Sequence, residues 1–497
     1  MRKPRIRTMR TGFGSLVFAA ILLTPMLSNP LFLESNMPSL DISTDTYVFS
    51  PDGKGYLKTN TDGKKLLHVE GTAYEMGYQH GYLLAEGVQY MTSTEYLCSL
   101  MMDFAVDMTV SDVKKMFLEP MIALLGWLID PEILVAFVDN TSEFILETGR
   151  DLIMMPIIEH NLKYVPEEFI EEMQGVADGA TDGGFPTDIE NVLLLNMGMD
   201  AAVGIIYPFL AILESIPGIP LYIKRLFENF HMCNGFVVYD DATTDGRVLM
   251  GRDFQFSELG FYETSLLIEQ FPDEGYNFIS YSAPGFVGLG TGMNSRGIGI
   301  GAQMLTALDL SLDYGMGLFF TMRNVIQYAG ELSEAIDMVR NSKRGNPWIY
   351  SIGDGIGPEI GGVMLETTAR NFFARGCDYD QPWWAPFPQI EDKDDVVTGA
   401  NHFINPWMNL KTISWAYNNT LWRYETMTNL ILDNYGTIDV NKGWEIIDFL
   451  HPPNYGYYGD DPHQTVKAAK TLMDLTNLDI YSLYGYYDDP LIVHSLN

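Results

Sequence analysis

The chain of 497 residues is long enough to bury a large core, and its 47% content of hydrophobic residues excludes a largely disordered protein. The formal net charge of −35 argues against nucleic acid and anionic membrane surfaces as default partners. The three cysteines are Cys98, Cys233 and Cys377, so one thiol stays free even if a disulfide joins the other two.

The amino-terminal stretch has the pattern of an export signal. A basic flank within residues 1–10 leads into an apolar run over residues 12–27, which is typical of a signal peptide. A retained membrane anchor fits the same pattern, because no small-residue cleavage site stands out before Pro30. We expect residues 1–30 to be a signal peptide or N-terminal anchor, and the chain to be exported, either secreted or extracytoplasmic.

The next part of the chain predicts a short hairpin followed by helices. Turn residues near positions 52–55 and 62–63 favour an early hairpin, and residues 71 to about 195 are mostly helical in pattern. Tyr74, Gly77, Tyr78 and Gly81 share one face of the first helix, which favours close packing through the glycines. His80 in this block is predicted to be a hydrogen-bonded structural histidine.

Two segments, 116–138 and 201–223, are unusually apolar. Charged residues and prolines interrupt both, so neither offers an unbroken span of ~20 apolar residues. Our first interpretation is a set of buried helices. The alternative is a helical cover that admits an acyl chain or contacts a membrane surface.

After Cys233 the pattern changes to short strands and then to helices. Strands are predicted at 235–240, 248–250, 265–270, 277–282, 285–289, 297–303, 348–353 and 361–366. Helices are predicted at 321–328, 333–339 with Ser333 as N-cap, 421–434, 440–450 and 464–473. Grouped strands and grouped helices favour an α+β fold over a parallel sheet of βαβ units.

Cys233 stands at the start of the first of these strand patterns. The turn dipeptide Asn234–Gly235 follows it, and the next strand brings back Arg252 and Asp253. Cleavage of the peptide bond before Cys233 would free an α-amine with a pKa of about 8, which can act as base for its own thiol. The alternative for Cys233 is a small buried hydrophobic residue.

Six blocks carry a family resemblance in chain order. They are GTAYEMGYQHG (71–81), MQGVADG (173–179), CNG (233–235), GRDF (251–254), GMNSRGI (292–298) and TGANHF (398–403). Together they resemble the acyl-coenzyme A:6-aminopenicillanic acid acyltransferase family, peptidase family C45. That family belongs to the Ntn-hydrolase superfamily and is related to phospholipase B-like proteins.

The resemblance implies a four-layer αββα Ntn-hydrolase sandwich. It also implies a mainly helical N-terminal propeptide or α chain over residues 31–232, and a catalytic β chain over residues 233–497. The cut between these two segments would fall between Met232 and Cys233.

The same resemblance suggests roles around the nucleophile. Cys233 would attack, and Arg252 is the nearest candidate cation, with a salt bridge as its alternative interpretation. Family members usually carry Gly-Arg-Asn-x-Asp where this chain has Asp253 and Gln255 after Arg252. Either the carboxylate has moved to Asp253, or Gln255 accepts from the amine without a charge.

Further site residues follow the two strands. Asn401 resembles the Asn of the family's Thr-Asn-His-Phe element, where its side-chain N–H would stabilise an oxyanion, while His402 is interpreted as structural. Arg423 matches an arginine that supports the site in relatives, and Gln303 stands where relatives often have an Asn after the glycine-rich strand. Both, with Gln255, are candidate supporting residues. Asn294 is predicted to shape a turn between two strands.

These patterns predict an exported, autoprocessed cysteine amidohydrolase or acylase that cleaves a linear amide C–N bond through a thioester. Its partners would be a small acyl amide or lipid-like substrate and its own N-terminal fragment, with membrane-surface contact through the apolar helices as a further option. No metal or cofactor is expected, since the eight histidines lack paired ligand spacing. The alternatives are a phospholipase B-like ester hydrolase or acyltransferase, and a non-catalytic exported protein that keeps the fold.

Overall fold

The computed structural model describes residues 45–106, 110–125, 129–215, 233–255, 264–305, 307–379, 382, 393–412, 417–449 and 465–496. The expected signal segment and Met232 lie outside this part of the chain. Cys98, Cys233 and Cys377 are all free thiols, so the disulfide left open by the sequence is not formed.

The described strands form two sheets. The strands are β1 Thr46–Phe49, β2 Tyr56–Thr59, β3 Lys65–Gly71, β4 Asn234–Asp240, β5 Gly246–Gln255, β6 Leu266–Pro272, β7 Phe278–Ser282, β8 Thr291–Asn294, β9 Ile298–Met304, β10 Trp348–Asp354, β11 Gly361–Thr367, β12 Phe372–Arg375, β13 Val396–Gly399, β14 Thr465–Asp474, β15 Asp479–Tyr486 and β16 Ile492–Ser495. The large sheet has the order β1-β2-β3-β6-β7-β8-β9-β10-β11-β12, and the small sheet has the order β13-β4-β5-β14-β15-β16. Neighbouring strands are antiparallel except β3 and β6, which are parallel.

The described helices lie before, between and after these strands. They are α1 Ala73–Leu83, α2 Ala85–Thr92, α3 Thr94–Val106, α4 Val110–Leu125, α5 Pro131–Gly149, a π-helix Arg150–Met154, α6 Met155–Asn161, a 3-10 turn Leu162–Tyr164, α7 Glu167–Asp182, α8 Ile189–Ser215, α9 Gly317–Tyr328, α10 Leu332–Asn341, α11 Pro406–Asn409, α12 Tyr417–Asp433 and α13 Val440–Phe449.

Helices cover both sides of the two packed sheets. Strands β4 and β5 of the small sheet face β9 and β10 of the large sheet, α9 and α10 cover the large sheet, and α12 and α13 cover the small sheet. The order helix, sheet, sheet, helix confirms the predicted α+β class and its four αββα layers. We call the side of the small sheet towards the large sheet its inner face, and the side towards α12 and α13 its outer face.

Strand β4 shows why its sequence is apolar at every position. Val237 packs in the core between the sheets, whereas Phe236 and Val238 pack on the outer face against Ile446 of α13. Because successive side chains of a strand alternate between faces, a strand covered on both sides needs apolar residues throughout.

The helical pair α1 and α7 packs through glycines, as predicted. A Cβ at Gly77 would overlap the carbonyl of Glu172, and one at Gly175 would overlap the carbonyl of Tyr74. His80 on α1 is buried and accepts a hydrogen bond from the Gly285 N–H at 2.9 Å. Its structural role is therefore confirmed, and burial, followed by the charge of nearby Arg323, lowers the pKa of its ring to about 4.

Three local predictions were wrong. The helix predicted at 464–473 is replaced by strand β14, Thr465–Asp474, within the described residues, and residues 285–289 form no strand, with Gly285 at φ +85° in a turn. Helix α10 begins at Leu332 after Glu331, so Ser333 is not its N-cap; its hydroxyl donates to the Glu331 carboxylate at 2.7 Å.

The buried-helix interpretation of segment 116–138 was also wrong for its described side chains. Only Leu134 and Val138 are buried on α5, while Phe117 on α4 and Phe137 on α5 are more than half exposed. In segment 201–223 the described start is buried, at Ala201–Val203, and residues 216–223 lie outside the described part.

Candidate active site

Cys233 lies directly before β4, at the end of the sandwich where β5 and β9 end. It is on the inner face, because Val237, four residues later, packs between the sheets. The residue is 3% exposed, and its Sγ lies 3.6 Å from the carbonyl oxygen of Gln255 at the end of β5. The thiol is therefore enclosed beside two strand termini.

The side chain of Arg252 on β5 reaches from the small sheet to the large sheet near Cys233. Its guanidinium donates to the carbonyl oxygen of Asn234 at 3.1 Å and to the carbonyl oxygens of Asp253 and Ala302. The side chain is fully buried and fills the space beside Gly301 of β9. Its hydrogen bonds within the described residues all go to backbone carbonyls, so the alternative salt bridge is not formed there, and a buried positive charge faces the interior near the thiol.

Arg423 on α12 connects Cys233 to Asn401. The guanidinium donates to the carbonyl oxygen of Cys233 at 2.8 Å, to Oδ1 of Asn234 at 2.5 Å and to Oδ1 of Asn401 at 2.9 Å. Arg423, which was matched to the family from the sequence, therefore contacts the backbone of Cys233 directly.

Asn401 follows β13, the strand that pairs with β4, and lies beside Cys233 in that register. Its Nδ2 donates to the carbonyl oxygen of Met304, and its backbone N–H donates to Oγ1 of Thr420 at 2.7 Å. Because a side-chain amide has two N–H donors, one remains to serve an acceptor on a substrate. The half-buried amide is therefore held in a defined orientation with a donor to spare.

Asp253 does not face the thiol. Adjacent strand residues point to opposite faces, so with Arg252 on the inner face, Asp253 lies on the outer face. There its Oδ2 accepts from Asn234 Nδ2 at 3.3 Å and from Gln255 Nε2 at 3.1 Å. Burial raises the pKa of this carboxyl to about 6, against the opposing charges of Lys470, Arg252 and Arg423.

The backbone carbonyl and the side chain of Gln255 point in different directions. The carbonyl faces the Cys233 thiol, while the side-chain amide binds Asp253 on the outer face. Asp253 Oδ1 and Gln255 Oε1 are buried and have no hydrogen-bond partner among the described residues. Two acceptor oxygens beside β4 therefore have no donor among the described residues.

Gln303 and His402 lie close to this cluster. Gln303 on β9 donates to Oγ of Ser351 at 2.7 Å and packs against Gly235 of β4. His402 is buried with Nδ1 2.9 Å from Oγ1 of Thr420. Burial, followed by the charges of Arg423 and Arg375, lowers the pKa of the His402 ring to about 3, so it is neutral and fits a structural role.

Asn294 is not part of the cluster. It ends β8 at the opposite end of the large sheet from Gln303, and its amide donates to the carbonyl oxygens of Ile326 and Ala329. Its Oδ1 accepts from the backbone N–H groups of Arg296 and Ile298, which shapes the predicted turn.

Two residues of the cluster were missed from the sequence. Asn234 joins Asp253 to Arg423, and its position directly after the cysteine was the available signal. Lys470 is fully buried and is paired with Asp253 across β14 and β5. The sequence offered no signal for Lys470, because its segment was assigned to a helix.

Neither a metal centre nor a membrane span is found in the described part of the chain. No group of three or more His, Cys, Asp or Glu side chains there is arranged to hold a metal ion. None of the helices described is long and apolar enough to cross a membrane.

Comparison with known sequences gives relatives of unstated activity. No family model matches the chain. An uncharacterized protein of Archaeoglobus fulgidus is 48% identical over 444 residues, which cover 88% of this chain and 66% of that protein. The proteins dcd1B and dcd1A of Dictyostelium discoideum are each 24% identical, over 59% and 55% of this chain. The chain spans less than two thirds of each relative's length, at 66%, 49% and 58%.

Comparison with solved structures gives partial similarities. The Caenorhabditis elegans ortholog of N-acylethanolamine-hydrolyzing acid amidase has a TM-score of 0.32 and 13% identity, covering 49% of this chain and 93% of its own. A mutant of the conjugated bile acid hydrolase of Clostridium perfringens has a TM-score of 0.35 and 12% identity, covering 54% and 93%. Penicillin V acylase of Agrobacterium tumefaciens has a TM-score of 0.33 and 11% identity, covering 53% and 86%.

Proposed function

We propose that the chain is an exported cysteine N-terminal-nucleophile hydrolase of the acylase type, made as a precursor and cut between Met232 and Cys233. The supporting observation is the setting of Cys233: a buried thiol before a central strand, with Arg423 on its carbonyl and Asn401 beside it.

Self-cleavage would begin with attack of the Cys233 thiol on the carbonyl carbon of Met232. The peptide nitrogen of Cys233 leaves as the new α-amine, and water hydrolyses the resulting thioester, which frees the thiol. Arg423 would hold the Cys233 carbonyl still during this exchange.

The mature site would use the same thiol on an amide substrate. The α-amine takes the thiol proton, and the thiolate attacks the substrate carbonyl, whose developing oxyanion accepts a hydrogen bond from Asn401 Nδ2. The C–N bond breaks as the α-ammonium returns a proton to the leaving amine. Water then hydrolyses the thioester to a carboxylic acid, again with the α-amine as base.

An apolar surface supports a lipid-like acyl group in the substrate. The exposed large apolar side chains on α4, α5 and the π-helix are Met116, Phe117, Ile122, Ile133, Val135, Phe137, Phe144, Ile145, Leu152 and Ile153. Such a surface suits contact with a membrane or with acyl chains. The same surface suits a phospholipase B-like ester hydrolase or an acyltransferase. Assays with an amide and an ester that carry the same acyl chain would separate these activities.

The first experiment is intact mass and N-terminal sequencing of the purified protein beside Cys233→Ala. We expect two wild-type fragments, one beginning at Cys233, and an intact mutant. Cys98→Ala and Cys377→Ala are matched controls that should still be cut, because both free thiols lie outside the cluster. A wild-type chain that stays intact for days at neutral pH would contradict the proposal and favour a non-catalytic exported protein with this fold.

A further inference from the structure

We propose that Lys470 and Asp253 are positioning residues for the Cys233 site, acting through Asn234 and Arg423. The proposal rests on the proposed function and adds to it a charged row on the side of the small sheet away from the thiol.

The row runs straight across three neighbouring strands. Asn234 of β4 is the register partner of Asp253 of β5, which in turn is the partner of Lys470 of β14. Residues in register on neighbouring strands share a face, so all three side chains lie on the outer face. An ammonium, a carboxylate and an amide are thereby placed side by side where the surrounding core is apolar.

All three members of the row are buried, Asn234, Asp253 and Lys470 each being 0% exposed. The Lys470 ammonium binds the Asp448 carboxylate of α13 and lies 4.8 Å from the ring centroid of Tyr487. A fully buried lysine is uncommon unless it is paired, and here the carboxylate of Asp448 and that of the register partner Asp253 supply the opposite charges.

The row sets the orientation of the Asn234 amide. Its Nδ2 donates to Asp253, which leaves Oδ1 to accept from Arg423. A reversed amide would turn its N–H groups towards the Arg423 guanidinium, where neither group can accept. Since Arg423 also holds the Cys233 carbonyl and Asn401, a correctly turned Asn234 keeps the nucleophile and the oxyanion donor in place.

The ionised form of Asp253 is the one that fixes this orientation, and it depends on the charges around it. Burial raises the pKa of Asp253 to about 6, whereas Lys470 of β14, Arg252 of its own strand and Arg423 of α12 oppose that rise. Among the described residues, Asp448 of α13 contacts the row through Lys470. Loss of the Lys470 charge should therefore raise the pKa of Asp253 further and leave it protonated at higher pH.

The test compares self-cleavage rates of wild type, Lys470→Met and Asp253→Asn from pH 5 to pH 8. General damage lowers a rate by the same factor at every pH. A positioning role instead makes the ratio of Lys470→Met to wild type fall towards low pH, by about tenfold for each unit of increase in the pKa of Asp253. In Asp253→Asn the part of the acidic decline that follows the titration of Asp253 should vanish, which leaves only the decline caused by protonation of the thiol.

Lys442→Met, on the exposed side of α13, is the matched control and should follow the wild-type profile. If Lys470→Met does not fold by circular dichroism, Asp253→Asn decides: a wild-type acidic decline retained in this variant overturns the proposal. A ratio of Lys470→Met to wild type that is constant with pH also overturns it, while cleavage itself stays established.

A wild type that is never cut would refute the proposed function instead. The same rate ratios are then measured for alkylation of Cys233 by iodoacetamide, read by peptide mass spectrometry. A ratio of Lys470→Met to wild type that falls towards low pH supports the positioning role, and a constant ratio overturns it.

Discussion

At the scale of single residues, the candidate site concentrates buried charge with few buried carboxylates. Arg252, Arg423 and Lys470 are essentially fully buried, and the buried carboxylate of Asp253 interacts electrostatically with all three. Backbone carbonyls take the place of carboxylates around Arg252. Within the described residues no carboxylate hydrogen-bonds to this guanidinium, and Asp253 offsets its charge from the other face of the sheet.

Asn401→Ala should slow self-cleavage by roughly 10²–10³-fold, the usual effect of removing one oxyanion donor. The variant also removes the acceptor for Arg423 and the donor to Met304. Cleavage rates from time-resolved mass measurements check the prediction. Asn409→Ala, on α11 in the same region, is the control and should cleave at the wild-type rate, whereas equal slowing of both variants would contradict a specific role.

Arg252→Met should lower the free energy of unfolding by about 3–5 kcal/mol, because buried carbonyls of β4, β5 and β9 lose their donor. Arg370→Met is the comparison, since Arg370 is 74% exposed and its ion pair with Asp309 should contribute about 0–1 kcal/mol. Denaturant unfolding of both variants measures the difference. Similar small losses for the two would show that Arg252 does not link the sheets energetically.

At the scale of elements, the contrast between α1 and β14 shows what a local pattern can reveal. Gly77 and Gly81 mark a helix face so clearly that close packing of α1 through its glycines was predictable, although its partner α7 was not. In β14, residues such as Ala469, Lys470 and Leu472 favour a helix by intrinsic propensity. Pairing with β5 and β15 on either side, together with burial on both faces, overrides that preference.

Gly77→Ala should destabilise the fold by about 1–3 kcal/mol or more, because its Cβ would overlap the backbone of Glu172. Gly149→Ala near the end of α5 has nothing within 4 Å of the new Cβ and should be neutral or stabilise by up to about 1 kcal/mol. Thermal unfolding of the two variants compares them. A smaller loss for Gly77→Ala than for Gly149→Ala would contradict the close packing.

At the scale of the whole molecule, the segments before and after Cys233 share one large sheet. Strand β3 pairs along its length with β6, and residues of α1, α7 and α8 belong to the same core cluster as β9 and β10. A cut at the expected boundary, residue 232, would therefore separate two segments of a single core.

After cleavage the two fragments should stay associated. The β3–β6 hydrogen bonds and the shared core would have to break for them to separate. Size-exclusion chromatography of cleaved protein should give one peak containing both fragments in native buffer and two peaks in denaturant. Separation in native buffer would contradict the shared core.

Glu269 should make the free energy of unfolding depend on pH. Its carboxylate contacts His68 of β3 at 2.8 Å and His494 of β16 at 3.0 Å, which ties both ends of the described chain together. Burial acts to raise the pKa of Glu269, but hydrogen bonds from His494 and His68 outweigh it and lower the pKa to about 2.

A lowered pKa means that the native state favours the charged form. The stabilisation is fully present above the ordinary pKa of about 4.3 and is lost as pH falls from there to about 2. In Glu269→Gln the free energy of unfolding should be lower than wild type at pH 6, and the difference should shrink by pH 2.5. Glu359→Gln serves as the surface control, and a Glu269→Gln difference independent of pH would contradict this assignment.

The sequence by itself determined the layered α+β class, the helix-to-strand change at Cys233 and most of the candidate residues, because these depend on local periodicity and short motifs. Tertiary structure decided which face each candidate occupies: Arg252 faces the interior and Asp253 the opposite side, since one strand position reverses the direction of a side chain. It also decided that β14 is a strand and that Lys470 stands beside Asp253. These two residues are neighbours because β5 pairs with β14, which lies more than 200 residues further along the chain. No local sequence pattern records such pairing.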